Sequence, residues 1–107
     1  MMACELSLIR VDVQDYMVSY ADEPLINQNH QECFGQCDIN NKLITVKSNR
    51  PCFAQYHTLM HEIMHAIIHE RGVTYGETTE ETFIDEIAAG LVGLVRDNPD
   101  LFNITRG

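Results

Sequence analysis

The chain has 107 residues, of which 45% are hydrophobic and 21% charged, and its net charge at pH 7 is −9. These values predict a single folded domain and argue against a nucleic-acid partner, because a phosphate backbone would be repelled. No hydrophobic run reaches the ~18 residues of a membrane-spanning helix, so we expect no membrane contact.

The first half of the chain has the short hydrophobic period of β-strands. Residues 6–11 and 16–20 are brief β-rich runs, and the charged residues in and near the first predict a strand and not a signal peptide. We therefore expect a cytoplasmic protein with reduced cysteines. Residues 25–32 are polar and predict a loop.

A β-hairpin is predicted immediately before the helical half. Residues 33–39 and 42–47 flank Asn40 and Asn41, and asparagine tolerates the positive φ of a tight turn. Lysines at both ends of residues 42–47 indicate an exposed edge strand.

From Pro51 onward the hydrophobic period becomes helical. Pro51 suits the first turn of a helix, and Gly72 follows the last periodic residue as a C-terminal cap. The apolar stripe recurs at three-and-four spacing and comprises Tyr56, Leu59, Met60, Ile63, Met64, Ile67 and Ile68.

Two of the four histidines on this helix form a metal-binding motif. His61 and His65 are about one turn apart and lie off the apolar stripe, so both imidazoles can reach one Zn²⁺ ion. With Glu62 they form His-Glu-x-x-His (HExxH), in which the carboxylate accepts a proton from zinc-bound water. The simpler alternative is a polar helix face that happens to carry histidines. His57 and His69 turn progressively away from the pair, so we do not expect them to bind metal.

A second helix is predicted from about residue 79 to residue 96, and Asn98 and Pro99 end it. Its apolar stripe comprises Phe83, Ile84, Ile87, Ala88, Leu91, Leu94 and Val95. The order of four strands and two helices predicts an α+β domain. We expect a small antiparallel sheet, with a hairpin edge strand, packed on the histidine-bearing helix and on the C-terminal helix.

The second helix also supplies candidates for a third zinc ligand, because a catalytic zinc needs three protein ligands and one open position. Glu81 and Asp85 share one face, and Glu86 is expected in solvent. We predict Glu81 as the ligand and Asp85 as a hydrogen-bond partner of a ligand histidine, with Asp85 on zinc as the alternative. Thr78 and Glu81 also fit a capping box, which would give Glu81 a structural role instead.

These motifs resemble the ImmA/IrrE-type metallopeptidases, small gluzincin-like zinc enzymes of bacteria and their phages. The resemblance covers residues 33–100 and rests on the hairpin, on HEIMH at residues 61–65, on IDEIAAGL at 84–91 and on VRDNP at 95–99. The last two stretches are similar to short phage-borne or prophage-borne members. The resemblance implies a zincin-like fold, bound Zn²⁺ and proteolysis, sometimes of regulatory proteins, in a bacterial or phage-infected cytoplasm. Many relatives carry Glu-x-x-Ala-Asn where residues 85–89 read DEIAA, whereas Glu81-x-x-x-Asp85 resembles the pairing in thermolysin-like enzymes.

The sequence therefore predicts a zinc-dependent metalloendopeptidase with a protein or peptide substrate. An extended substrate would pair with the strand at residues 42–47. Tyr56, Tyr75 and His69 are the candidates for stabilising the oxyanion. The alternative function is a non-catalytic zinc-binding interaction module of a phage or prophage, in which zinc is structural or absent; a metal site closed by four protein ligands would support it.

Overall fold

The computed structural model describes residues 7–26, 30–74, 76–77 and 79–102, except for the side chains of Ile84 and Phe102. The predicted α+β class is confirmed. Within these residues the elements are β1 (Leu8–Val11), β2 (Gln14–Ala21), β3 (Leu25–Ile26), β4 (Glu32–Cys33), β5 (Gly35–Asp38), β6 (Leu43–Lys47), α1 (Cys52–Glu70), α2 (Glu80–Asp97) and a 3₁₀ helix (Pro99–Phe102).

The main sheet has four strands in the order β1-β2-β6-β5. Its outer pairs, β1 with β2 and β5 with β6, are antiparallel hairpins, but β2 and β6 run parallel. The prediction of an antiparallel sheet is therefore wrong in the middle, where the two hairpins meet. Local turn and strand patterns specify each hairpin, whereas the pairing between the hairpins depends on how the chain crosses over.

The lysines at the two ends of the predicted strand, Lys42 and Lys47, do not mark a sheet edge. This strand pairs with β2 on one side and with β5 on the other, which corrects the expectation of an exposed edge at residues 42–47. Lys47 is buried and its Nζ lies 2.7 Å from a carboxylate oxygen of Glu32. Lys42 lies in the hairpin loop and pairs with Glu70 of α1. Each lysine thus has a partner of opposite charge, and the strand of this hairpin that lies at a sheet edge is β5.

The β5–β6 hairpin is present, but its turn differs from the prediction. Four residues, 39–42, connect the strands, and the positive φ of 54° falls on Lys42 and not on an asparagine. Asn41 instead donates its backbone N–H to the carboxylate of Asp38 at 3.1 Å. A side-chain bond of this kind stabilises the loop without requiring a two-residue turn.

Two short strands, β3 and β4, form at the two ends of the region predicted as a loop, residues 25–32, and pair with each other; β4 extends one residue beyond it, to Cys33. Residues 27–29 between them lie outside the described part of the chain. At the other side of the main sheet, the side chain of Asn98 bonds both the N–H and the C=O of Arg10 at 2.8 Å. Asn98 therefore covers part of the outer edge of β1 much as a neighbouring strand would.

Helix α1 has the predicted ends. Pro51 is its N-cap, and Gly72 adopts a φ of 64° just beyond the C-cap. The Gly72 N–H bonds the carbonyl of His69, and the Val73 N–H bonds that of Ile68, which together form a Schellman motif. Glycine suits this position because a Cβ disfavours positive φ.

The core lies between the main sheet and α1, with contributions from α2 and the 3₁₀ helix. Its buried members are Ile9, Val11, Tyr16, Val18, Ile44, Val46, Leu59, Ile63, Ala66, Ile67, Leu94 and Leu101. The buried face of α1 extends round the helix to include Gln55 and Glu62. Leu101 belongs to the 3₁₀ helix, which the sequence patterns did not predict. No helix in the described residues is long and apolar enough to span a membrane.

Candidate active site

The two histidines of the HExxH motif lie side by side on the exposed surface of α1. Their Nε2 atoms are 3.3 Å apart, and their ring centroids are 4.9 Å apart. Two nitrogen ligands at 2.0–2.1 Å from a tetrahedral zinc would be separated by about 3.3–3.4 Å. The separation of the imidazoles of His61 and His65 therefore suits two ligands of one zinc ion.

Glu62 occupies a different environment from the histidines on either side of it. Glu62 is only 8% exposed, and its side chain lies against β5 of the main sheet. Burial raises the pKa of the Glu62 carboxyl above its ordinary value, and interactions with His61 and His65 oppose the rise. A carboxylate whose pKa is raised is a stronger base than an ordinary one, which suits a general base.

Gly35 of β5 makes the close approach of this strand to α1 possible. A Cβ at Gly35 would lie 2.5 Å from Cγ2 of Thr58 and 3.2 Å from Oε2 of Glu62. Any side chain would therefore displace one of these two residues. The sequence offered only a weak signal for this role, a glycine interrupting a run of β-forming residues.

A cleft of about 460 Å³ opens beside Glu62, between β5 and the first half of α1. Its walls are formed by Cys33, Phe34, Gly35, Arg50, His57, Thr58, His61 and Glu62. The cleft thus joins one histidine of the motif and the buried carboxylate to a sheet edge. It is large enough to hold part of a peptide.

Strand β5 directs unpaired backbone groups away from its neighbour. The N–H of Lys47 donates to the carbonyl of Phe34 at 2.8 Å, so these opposed residues form a hydrogen-bonded pair. Because such pairs alternate along an antiparallel ladder, Gly35 and Cys37 point their N–H and C=O groups away from β6. Among the described strands, β5 has only β6 as a partner, so this side of β5 can accept an added strand.

The cysteines near the cleft are free thiols. Burial, with a smaller contribution from Glu62, raises the pKa of the Cys37 thiol to about 11. This thiol is therefore protonated at neutral pH and is a poor nucleophile.

The predicted third ligands do not lie with the histidine pair. Glu81 and Asp85 are both exposed on α2, and the described residues contain no group of three or more His, Cys, Asp or Glu side chains placed to hold a metal. The two histidines are therefore placed as zinc ligands would be, whereas no third ligand lies beside them in the described residues.

The alternative role of Glu81, in a capping box that starts at Thr78, does not fit the start of α2. Thr79 is the N-cap of α2, and its hydroxyl accepts the Thr82 N–H at 3.1 Å. Glu81 is then one residue too early in the helix to complete such a box, while Thr78 itself lies outside the described residues.

Glu86, expected in solvent, contacts the other helix. It is half-buried, and its Oε1 lies 2.8 Å from Nε of Arg71. Arg71 also pairs with Asp12 in the β1–β2 turn at 3.0 Å. This cluster joins α2, the end of α1 and the sheet, because α2 turns the face bearing Glu86 inward.

Of the candidates for oxyanion stabilisation, neither Tyr56 nor His69 lines the cleft. Tyr56 is half-buried against the core, His69 is exposed at the end of α1, and Tyr75 lies outside the described residues. His57, expected only as a neighbour of the metal pair, lines the cleft together with His61. Arg50 and Phe34 also line it, although no sequence motif singled them out.

Comparisons of the chain with protein-family models, curated proteins and solved structures found no significant match in any of the three.

Proposed function

We propose that this protein is a zinc-dependent metalloendopeptidase. The observation that carries the proposal is the pair of imidazole nitrogens 3.3 Å apart, adjoining the buried carboxylate of Glu62 at the wall of a cleft. A polar helix face without function would require neither this pairing nor the burial of a carboxylate beside it.

His61 and His65 would hold the metal, and a carboxylate of α2 would complete the set of ligands. Glu81 remains the first candidate and Asp85 the second, and the start of α2 would have to approach the histidines for either to bind. Zn²⁺ at this position would supply Lewis-acid polarisation of a carbonyl and lower the pKa of a water molecule.

Glu62 would act as the general base. Its carboxylate takes a proton from the attacking water and passes it to the amine that leaves when the peptide bond breaks. Its position on α1, one residue after His61, keeps it beside the metal pair, and its side chain is buried next to β5 at Gly35.

An extended peptide substrate would bind along β5. The outward-facing backbone groups of Gly35 and Cys37 would pair with the peptide and bring its carbonyl towards the histidines. This replaces the strand at residues 42–47 as the proposed binding edge, because that strand is already paired on both sides. We further propose action on regulatory proteins in a bacterial or phage-infected cytoplasm, as the family resemblance implies.

The second candidate function is a non-catalytic interaction module in which zinc is structural or absent. The exposure of Glu81 and Asp85 on α2 favours the form without zinc, because the histidine pair alone would bind the metal weakly. In that case peptides would bind to the cleft without being cleaved.

Metal analysis and a single substitution test the proposal. The purified chain is expected to retain one zinc per chain after dialysis and to cleave members of a mixed peptide library, read by mass spectrometry. Glu62→Gln should keep the metal and lose cleavage by at least 10²-fold, the usual contribution of a general base. Glu77→Gln, at an exposed carboxylate that does not line the cleft, is the matched control. Cleavage that survives Glu62→Gln would contradict the mechanism, and zinc binding without cleavage in the wild type would favour the interaction module.

A further inference from the structure

The cleft contains one cationic side chain whose position the proposed reaction does not explain. Arg50 is half-buried, and its guanidinium carbon lies 3.7 Å from the ring centroid of Phe34. Its Nη1 donates to the hydroxyl of Thr58 at 3.1 Å. Arg50 is thus held on two sides, by an aromatic ring and by the helix that carries the HExxH motif.

The arginine has no acidic partner within the described residues. The ion pairs found there involve five other cations, Arg10, Lys42, Lys47, Arg71 and Arg96. The donors of a guanidinium lie in its plane, so stacking on a ring leaves them available at the edge. A fixed arginine with available donors in a cleft is suited to binding a carboxylate, with two parallel N–H···O bonds.

We propose that Arg50 is a specificity-determining residue that binds a carboxylate group of the peptide substrate. This inference rests on the proposed function in taking a peptide as the ligand. Two sources supply the same chemistry: an acidic side chain within the peptide, or its C-terminal carboxylate. The net charge of −9 repels acidic peptides at long range, so a preference for them must come from local contact.

The test measures binding by NMR titration of the full chain in EDTA, which separates it from zinc binding and from cleavage. The probes are acetylated hexapeptides of alanine with Glu, Gln or Lys at the third position and an amidated C-terminus, and the Gln peptide with a free C-terminus. We expect one of the two carboxylate-bearing peptides to bind at least ten-fold more tightly than the amidated Gln peptide, as charge-assisted hydrogen bonds predict. The peptide that does so identifies the source of the carboxylate.

Substitutions at Arg50 separate recognition from a structural role. Arg50→Gln should remove the preference, Arg50→Lys should restore part of it, and Arg50→Glu should make the Lys peptide the tightest binder. Arg96→Gln, at an exposed arginine on α2, should bind like the wild type. A reversal of preference in Arg50→Glu cannot arise from loss of folding, which circular dichroism checks independently.

The proposal is overturned if the amidated Gln peptide binds as well as both carboxylate-bearing peptides, or if none of the probes binds at millimolar concentration. It is also overturned if the preference persists in Arg50→Gln. The proposed function has a separate test, because it is contradicted by absence of zinc or of cleavage in the wild type. The carboxylate preference is measured in EDTA, so its result does not depend on that test.

Discussion

Gly35 of β5 and Glu62 of α1 lie so close together that there is no room for a side chain at position 35. A Cβ at Gly35 would lie 3.2 Å from both Cγ and Oε2 of Glu62. The position of the proposed general base is therefore set by a glycine 27 residues earlier in the chain.

Gly35→Ala is expected to destabilise the fold by about 1–3 kcal/mol, because the new methyl group overpacks the strand–helix contact. The closest atom would be Cγ2 of Thr58, at 2.5 Å. Thr58→Ser removes that atom and keeps the hydroxyl that accepts from Arg50. The double substitution should therefore recover much of the stability lost in Gly35→Ala, as measured by urea denaturation. A double variant no more stable than the sum of the single effects would show that Thr58 is not the obstacle.

Zinc should raise the thermal stability of the chain if His61 and His65 bind it. At a free zinc concentration 100 times the dissociation constant, the stabilisation is about 2.7 kcal/mol. For a domain near this size, that corresponds to an increase in Tm of about 10–20 °C. His61→Ala and His65→Ala should each abolish the increase, and EDTA should reverse it in the wild type. An equal increase in both variants would place the zinc elsewhere.

The third ligand can be identified by neutralising the acids of α2 one at a time. Glu81→Gln should lower zinc affinity by well over ten-fold if Glu81 binds the metal, and Asp85→Asn should then lower it by about 10–100-fold through the orientation of a histidine. The reverse order of effects would assign Asp85 to the metal. Glu80→Gln is the matched control, since this residue is also exposed and lies next to Glu81 in the first turn of α2. If neither variant differs from the control, α2 does not supply the ligand.

Glu70 should make stability depend on pH through its contacts with β2 and the hairpin loop. Its Oε2 accepts from the hydroxyl of Tyr16 at 2.7 Å and from Nζ of Lys42 at 2.5 Å. Burial alone would raise the pKa of Glu70, but these hydrogen bonds outweigh it and lower the pKa. A carboxyl with a lowered pKa contributes stability above the unfolded value of about 4.3, and the contribution is lost as pH falls through the folded value.

Glu70→Gln should therefore cost about 1–3 kcal/mol at pH 7, and the difference from wild type should shrink below about pH 4. Urea denaturation at several pH values measures this, with Glu77→Gln, at an exposed acid, as the control. A cost that stays constant down to pH 3 would contradict the assignment to an ionised Glu70.

Two glycines one turn apart on α2 should respond in opposite directions to alanine. A Cβ at Gly90 would lie 2.5 Å from Cγ2 of Ile67, where α2 crosses α1, so Gly90→Ala should destabilise by about 1–3 kcal/mol. At Gly93 the nearest atom is the flexible end of Arg96 at 3.4 Å. Gly93→Ala should therefore stabilise by about 0.5–1 kcal/mol through helix propensity. The same sign for both variants in thermal unfolding would contradict the helix packing described here.

The sequence predicted α1 well because several independent local signals agree there. Pro51, the apolar stripe and Gly72 all point to the same helix, and the structure places its ends where those residues predict. The hairpin before α1 was also recognisable. Its loop is longer than the predicted two-residue turn, and the residue with positive φ is Lys42 instead of an asparagine. Patterns of this kind depend on neighbouring residues, so they can be recognised without knowledge of distant contacts.

The surroundings of the motif could not be predicted in the same way. Gly35, Phe34 and Arg50 line the cleft because β5 packs across α1. Phe34 and Arg50 are 16 positions apart in the sequence, and Gly35 and Glu62 are 27 apart, so each pair is brought together only by the fold. The wrong expectations for the sheet edge and for Glu86 have the same origin. A lysine at the end of a strand, or a glutamate beside the apolar stripe of a helix, can face either solvent or a neighbouring element. Only the packing of that neighbouring element decides which.

The pairing of the two imidazoles was therefore specified by the sequence itself, because His61 and His65 lie four positions apart on one helix, with Glu62 between them, and helical geometry brings the two rings together. The tertiary structure decided everything that requires a second element: the burial of Glu62 against Gly35, the open edge of β5, and the placement of Arg50 over Phe34. It also left Glu81 and Asp85 apart from the histidines, because the face that α2 turns toward α1 bears Glu86 and Gly90.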